Sequence, residues 1–207
     1  NKRTAPGLAS LKARQQPIVC ITAYDALEAS LVDDADVDVV LVGDSVGNAK
    51  LGFENTVPVT LEMVAHHTAA VRRGLRHALL VADLPFGSYH GGVALAVSSA
   101  VALMRAGAEA VKLEGPYYDE AQALIKAGIP VMGHLGMTPQ SVNAFGGFRV
   151  QGRSEDAAAR IREEALRLQD LGCFAIVLEL IPAALAEDLS RSLHVPTIGI
   201  GAGAGCD

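Results

Sequence analysis

Short runs of β-branched and aliphatic residues alternate with longer stretches of helical periodicity along the whole chain. That alternation is the mark of repeated βα units around a parallel sheet. The apolar runs predict strands near 18–23 (IVCITA), 38–43 (DVVLVG), 78–83 (HALLVAD), 110–114 (AVKLE), 130–134 (PVMGH), 174–179 (FAIVLE) and 196–200 (PTIGI). Between them the spacing predicts helices over 25–35, 60–74, 93–107, 119–128, 155–171 and 183–193. The segment 155–171 carries the fullest helical signature. Ser154 can cap it, Glu155 and Asp156 suit the positive end of its dipole, and Ala158, Ile161, Ala165, Leu168 and Leu171 recur on one face before Gly172.

A doubly wound open sheet and a (βα)8 barrel both produce such alternation. Seven unbroken strands fall one short of the barrel, and an eighth beyond Asp207 would explain a length below the ~250 residues typical of that fold. The expected architecture is therefore α/β, a TIM-type barrel whose eighth strand and C-terminal helices are missing from this chain. No linker, low-complexity tract or composition shift divides it, so residues 1–207 are expected to form a single barrel domain, incomplete at the C-terminal end. The chain starts without Met and stops after a glycine-rich turn, which suggests that both ends are cut or unresolved.

Composition narrows the function classes. Half of the residues are hydrophobic and 4% are aromatic, so the core must be aliphatic. Acidic residues outnumber basic ones, 23 to 17, and no stretch concentrates Lys and Arg among aromatics, so a nucleic-acid partner is not expected. Cys20, Cys173 and Cys206 are far apart, with no paired spacing for a disulfide framework or a structural zinc. No apolar run approaches the ~18 residues of a membrane span. A cytoplasmic protein with no membrane partner is the expectation.

The candidate chemistry lies at the strand ends. Asp44 follows the second strand, Asp83 ends the third, Glu114 the fourth, His134 the fifth and Glu179 the sixth. In a barrel these ends converge on the face where active sites are built. Lys112 and Glu114 are two apart on one strand and so share a face. A lysine pointing inward beside Glu114 requires a partner or an anionic ligand. For any single acid a helix cap or solvated loop is a sufficient explanation; five in succession are not so easily dismissed. Clustered carboxylates repel unless a cation sits among them, and hard oxygen ligands without thiolate suit Mg²⁺. Adjacent His66 and His67 face different sides of a helix and do not read as a metal pair. The GIGAGAG stretch, 199–205, resembles a dinucleotide loop but has no following helix or ribose-binding acid in view, so it reads as a tight turn.

The motifs ITAYDA, VVLVGDSVGN, VADLPFGSY, AVKLEG, GIPVMGHLGMTPQSVNAFGGFRVQGR, VLELIP and PTIGIGAG resemble, in order, those of the ketopantoate hydroxymethyltransferases, from about Ile21 to Asp207. The resemblance implies a barrel that transfers a hydroxymethyl group from methylene-tetrahydrofolate to α-ketoisovalerate (3-methyl-2-oxobutanoate). The product would be ketopantoate, made in pantothenate and coenzyme A biosynthesis through a Mg²⁺-stabilised enolate. Carried over by motif, Asp44 and Asp83 look like the Mg²⁺ carboxylates, with Glu114 close to the metal directly or through water. Asp44, Ser45, Asp83 and Lys112 would contact the keto acid, His134 would sit near it, and Glu179 looks like the catalytic base. The resemblance also implies a homo-oligomer, a decamer built from dimers. The chain departs from the family pattern at Pro116-Tyr117-Tyr118, where a second glycine and a slightly longer segment are usual.

Two rival readings compete with this one. A Mg²⁺-dependent α-keto-acid lyase or mutase of the phosphoenolpyruvate mutase and isocitrate lyase type would share the barrel but should carry a reactive cysteine where this chain has GGFRVQG. A catalytically silent barrel scaffold should have lost the site acids, all of which are present.

Overall fold

The computed structural model describes residues 2–207. Seven strands, β1 (Cys20–Thr22), β2 (Val39–Val42), β3 (Leu79–Asp83), β4 (Ala110–Lys112), β5 (Val131–Gly136), β6 (Ala175–Glu179) and β7 (Thr197–Ile200), pair in sequence order, and every pair is parallel. The helices are α1 (Ala5–Ala13), α2 (Ala26–Asp34), α3 (Val46–Ala49), α4 (Leu61–Gly74), α5 (Val93–Arg105), α6 (Tyr118–Lys126), α7 (Val142–Phe145), α8 (Glu155–Leu171) and α9 (Ala183–Ser192), with a 3₁₀ turn at Pro139–Ser141. The sheet curls into a nearly closed TIM-type barrel with the helices on its outside.

Alternation along each strand sorts the side chains into two cores. Val40, Val42, Leu80, Val111, Ile176 and Leu178 point outward and pack beneath the helices. Val39, Leu79, Val81, Ala110, Met132, Ala175 and Val177 point inward and form a separate, smaller cluster. That inner cluster also holds Ala5 and Leu8 of α1, so α1 plugs the N-terminal end of the barrel. Its first turn is capped by Thr4, whose hydroxyl accepts from Gly7 N at 3.2 Å. The periodicity does not predict α1: it is short, and only Ala5 and Leu8 are buried.

The helix expected at 155–171 forms as α8. Ser154 accepts from Ala157 N, Gly172 takes the left-handed conformation at φ 101°, and Ile161, Ala165 and Leu168 make the buried stripe. Between α2 and β3 the chain is tied by Asp33, whose buried carboxylate accepts from the backbone N–H groups of Arg76, His77 and Ala78.

β1 and β7 are the two edges of the sheet. They border a shared gap, across which Ile18 N donates to Asp207 O at 2.8 Å. Val19, Ile21 and Ile200 are exposed along these edges. The GIGAGAG segment leaves β7 and turns, with positive φ at Gly201 and Gly203, and no helix follows it among the described residues.

Candidate active site

Followed from the plugged end towards the other, the inward positions change character. The lower layers are aliphatic, and the upper layer is Asp83, Lys112, His134 and Glu179, one from each of β3, β4, β5 and β6. Asp83 and Lys112 are direct neighbours across β3 and β4. Two of the expected positions shift slightly. His134 stands two residues inside β5, which continues to Gly136, and Glu114 lies two residues past the end of β4. Both still face the interior, and Lys112 and Glu114 share a face as their spacing requires, 3.9 Å apart.

Asp44 and Ser45 are delivered by the turn between β2 and α3. Gly43 leaves room there: a Cβ would stand 2.6 Å from Ser45 Oγ, so the Ser45 hydroxyl would have to move from its place, and 3.4 Å from Asp83 Oδ2. With that space free, Asp44 N donates to Asp83 Oδ2 at 3.0 Å, and the Ser45 hydroxyl meets Tyr24 OH at 2.8 Å. The apolar strand thus ends in a carboxylate because its end abuts the polar layer of the barrel.

Lys112 is the centre of charge. Its Nζ lies 3.0 Å from Asp83 Oδ1 and 3.1 Å from His134 Nδ1. The contact with Asp83 is an ion pair, and the buried Asp83 Oδ1 has no other polar partner among the described residues. Burial disfavours the ammonium, but the charges of Asp83, Glu114 and Asp44 outweigh it and hold Lys112 protonated. Burial pushes the Asp44 carboxyl up, and the Asp83 charge pushes it further. Glu114 is likewise raised by burial, against the pull of Lys112. His134 is held neutral by burial and by Lys112, against an opposing pull from Glu179, whose Oε2 is 3.2 Å from His134 Nε2.

These groups line one cavity of about 420 Å³. Asp44, Ser45, Asp83, Lys112, Glu114, His134 and Glu179 all border it, so the residues singled out by the sequence motifs are brought together. Its outer wall is apolar, with the exposed Phe148 and Ile200 at the rim.

Whether a divalent cation suits the cavity turns on the donor set. Among the described residues, no three His, Cys, Asp or Glu side chains converge as a metal cluster. Mg²⁺ does not require one, since it takes one or two carboxylates and completes its shell with water and substrate oxygens. Asp83 Oδ1, held only by its ion pair with Lys112, and the crowded Asp44 carboxyl fit that demand.

Nothing in the periodicity points to Tyr24, Tyr89 or Gln140, yet all three bind site residues. Tyr89 OH donates to Gln140 Oε1 at 2.8 Å, and Gln140 Nε2 donates to Asp44 Oδ2 at 2.8 Å. The available signal is position: each stands a few residues past a strand, in ITAYDA, PFGSY and MTPQ.

The fold resembles solved structures of low sequence identity. A phosphoenolpyruvate phosphomutase from Streptomyces platensis superposes with a TM-score of 0.70 at 13% identity, over 95% of this chain and 72% of that one. A phosphonopyruvate hydrolase solved with oxalate and Mg²⁺ gives 0.70 at 13%, over 96% and 72%. These likenesses concern the barrel. Sequence relatives are much nearer. The 3-methyl-2-oxobutanoate hydroxymethyltransferase of Nitratidesulfovibrio vulgaris strain DP4 is 52% identical over 99% of this chain and 67% of its own length. A second enzyme of that name, from Bradyrhizobium diazoefficiens, is 54% identical over 98% of this chain and 70% of its own. A third, from Thermobifida fusca, is 52% identical over the whole chain and 75% of its own. With the ketopantoate hydroxymethyltransferase family model matching residues 2–207 as well, this chain belongs to the ketopantoate hydroxymethyltransferase family.

Proposed function

We propose that the protein transfers a hydroxymethyl group from methylene-tetrahydrofolate to 3-methyl-2-oxobutanoate, giving ketopantoate. The observation that carries this reading is the grouping of three acids, Asp44, Asp83 and Glu114, with a protonated lysine and with Glu179 beside a neutral histidine, around one cavity.

The keto acid is an anion whose C3 hydrogen must be removed before a carbon–carbon bond can form. Lys112, held charged by its neighbours, would attract the substrate carboxylate into a site otherwise rich in acids. Ser45, fixed by Tyr24, would offer its hydroxyl to the same substrate. Glu179, at the cavity edge with its side chain 13% exposed, is the base assigned to the C3 proton. His134, neutral and with Nε2 3.2 Å from Glu179 Oε2 but outside hydrogen-bond geometry, would neighbour that carboxylate without quenching its charge. Mg²⁺, held by Asp44 and Asp83 with Glu114 nearby, would act as a Lewis acid on the keto group. The new bond forms between C3 and the folate-borne carbon, the bonds from that carbon to the folate nitrogens break to release tetrahydrofolate, and water supplies the hydroxyl oxygen.

The same reading carries a cytoplasmic location and assembly into a homo-oligomer, a decamer by family resemblance. Among the described residues no helix is long and apolar enough to cross a membrane. A lyase or mutase reading rests on the barrel alone, whereas relatives of about half identity bear the transferase name.

The direct test follows the C3 hydrogen of 3-methyl-2-oxobutanoate by NMR in deuterated water, without folate and with or without Mg²⁺. Metal-dependent exchange is expected. Keto-acid binding with no exchange would remove Glu179 from its assigned role, and no binding at all would favour a silent barrel.

A further inference from the structure

Among the described residues, Gln140 is the one that hydrogen-bonds to both Asp44 and Glu114 by its own donors. Its backbone N–H donates to Glu114 Oε2 at 3.0 Å, and its side-chain Nε2 donates to Asp44 Oδ2 at 2.8 Å. The second Nε2 proton goes to Leu84 O at 3.0 Å, and Oε1 accepts from Tyr89 OH at 2.8 Å. Tyr89 is itself held, because its hydroxyl lies 3.1 Å from Glu114 O and 3.2 Å from Glu114 N. Gln140 is 4% exposed and Tyr89 is fully buried.

The consequence is a division of labour between the two oxygens of each acid. Glu114 Oε2 is tied to Gln140, while Oε1 faces His134 Nδ1 at 3.6 Å and Lys112 at 3.9 Å. Asp44 Oδ2 is tied to Gln140, which leaves Oδ1 as the oxygen available to a ligand in the cavity. The tether must be an amide. It needs two donors and an acceptor at one end, a set that no carboxylate, hydroxyl or ammonium provides. It must also be neutral, since a further negative charge would repel Asp44 and a positive one would compete with Lys112.

We propose that Gln140, locked by Tyr89, is a positioning residue that sets which oxygens of Asp44 and Glu114 face the cavity. It thereby prepares the site for a hard divalent cation and the chelating keto acid. This rests on the proposed function in taking Asp44 as a metal carboxylate. Residues that orient metal ligands matter about 10–100-fold in affinity or activity when removed.

The test uses the full chain and its Gln140→Met and Tyr89→Phe variants. Mn²⁺ binding is read from the free-ion signal in electron paramagnetic resonance, beside kcat and KM for the keto acid and the thermal midpoint. Gln140→Met preserves length and removes every side-chain hydrogen bond. It is expected to weaken Mn²⁺ about tenfold or more and to lower kcat with it. Tyr89→Phe keeps the ring, frees Oε1 and should weaken Mn²⁺ by a smaller factor in the same direction. Mn²⁺ affinity within twofold of the parent in Gln140→Met would overturn the inference. Should that variant fail to fold, unchanged affinity in Tyr89→Phe would do so instead. A parent chain that binds no Mn²⁺ would also sink it. A parent that binds Mn²⁺ but transfers no hydroxymethyl group would defeat the proposed function alone, leaving the ion titration to decide the role of Gln140.

Discussion

Lys112 Nζ stands 3.1 Å from His134 Nδ1, and both side chains are buried in the barrel. An ammonium has only protons to offer, so the nitrogen facing it must accept. The neutral imidazole then carries its proton on Nε2, the atom 3.2 Å from Glu179 Oε2. The pair therefore decides what Glu179 meets.

The first prediction is spectroscopic. With ¹⁵N-labelled histidine at neutral pH, His134 is expected as the neutral Nε2–H tautomer. Lys112→Met should release that constraint and broaden or shift the His134 signals. A native Nδ1–H tautomer would invert the donor and acceptor roles and remove the link from Lys112 to Glu179.

A second prediction concerns Gly136. This residue ends β5 at φ 93°, and a Cβ there would run into the Glu179 carbonyl oxygen and Ile181 Cγ2. Met137 N also donates to that carbonyl at 2.8 Å, so the two strand ends are locked together. Gly136→Ala must displace the backbone that carries Glu179. Turnover should fall about 10²-fold, as small misplacements of reacting groups do, with a stability loss of about 1 kcal/mol or more. Activity equal to the parent would show that Glu179 tolerates the shift and is not the base.

Much of this arrangement was legible in the sequence because the barrel obeys a period of two. Runs such as VVLV announce strands buried on both faces, and an inward aliphatic position followed two residues later by Asp83 or Lys112 announces a polar layer. Ser154 and Gly172 mark the ends of α8 by cap chemistry alone. The tether at Gln140 left no such trace. It is 96 residues from Asp44, and a polar residue in a loop obeys no periodicity. The plug α1 was hidden for a related reason: only two of its residues are buried, too few to establish a helical stripe.

A third prediction concerns acid sensitivity away from the cavity. Burial opposes ionisation of Asp33, but the N–H groups of Ala78, His77 and Arg76 outweigh it and hold its carboxyl below the usual range. A carboxyl lowered in the folded state stabilises fully above its unfolded pKa and loses that contribution as pH falls through the folded value. Asp33→Asn keeps one acceptor and loses the charge, so at pH 7 it should cost about 1.5–3 kcal/mol in urea unfolding. The gap from the parent should begin to narrow below about pH 4, where the unfolded parent takes up its proton, and close only below the lowered folded value. A gap independent of pH would mean that packing, not charge, is what Asn disturbs.

The fourth prediction separates binding from chemistry at the two ends of the polar layer. Asp83 touches Asp44 through the N–H of that residue and touches Lys112 by charge. Asp83→Asn removes a proposed metal carboxylate and leaves Lys112 with less compensation. Mg²⁺-dependent keto-acid binding should weaken by tenfold or more, and stability should fall, because a buried ion pair that loses one partner costs about 3–5 kcal/mol. Glu179 is more open, and its nearest charged-type partner is the neutral His134. Glu179→Gln should therefore leave the fold and keto-acid binding nearly intact while slowing C3 hydrogen exchange by ~10² or more, the scale of a general base. Calorimetric titration of the keto acid with Mg²⁺, run beside the exchange assay, distinguishes the two variants. If both lose binding and exchange in the same proportion, Glu179 holds substrate or structure, and the proton must leave C3 by another route.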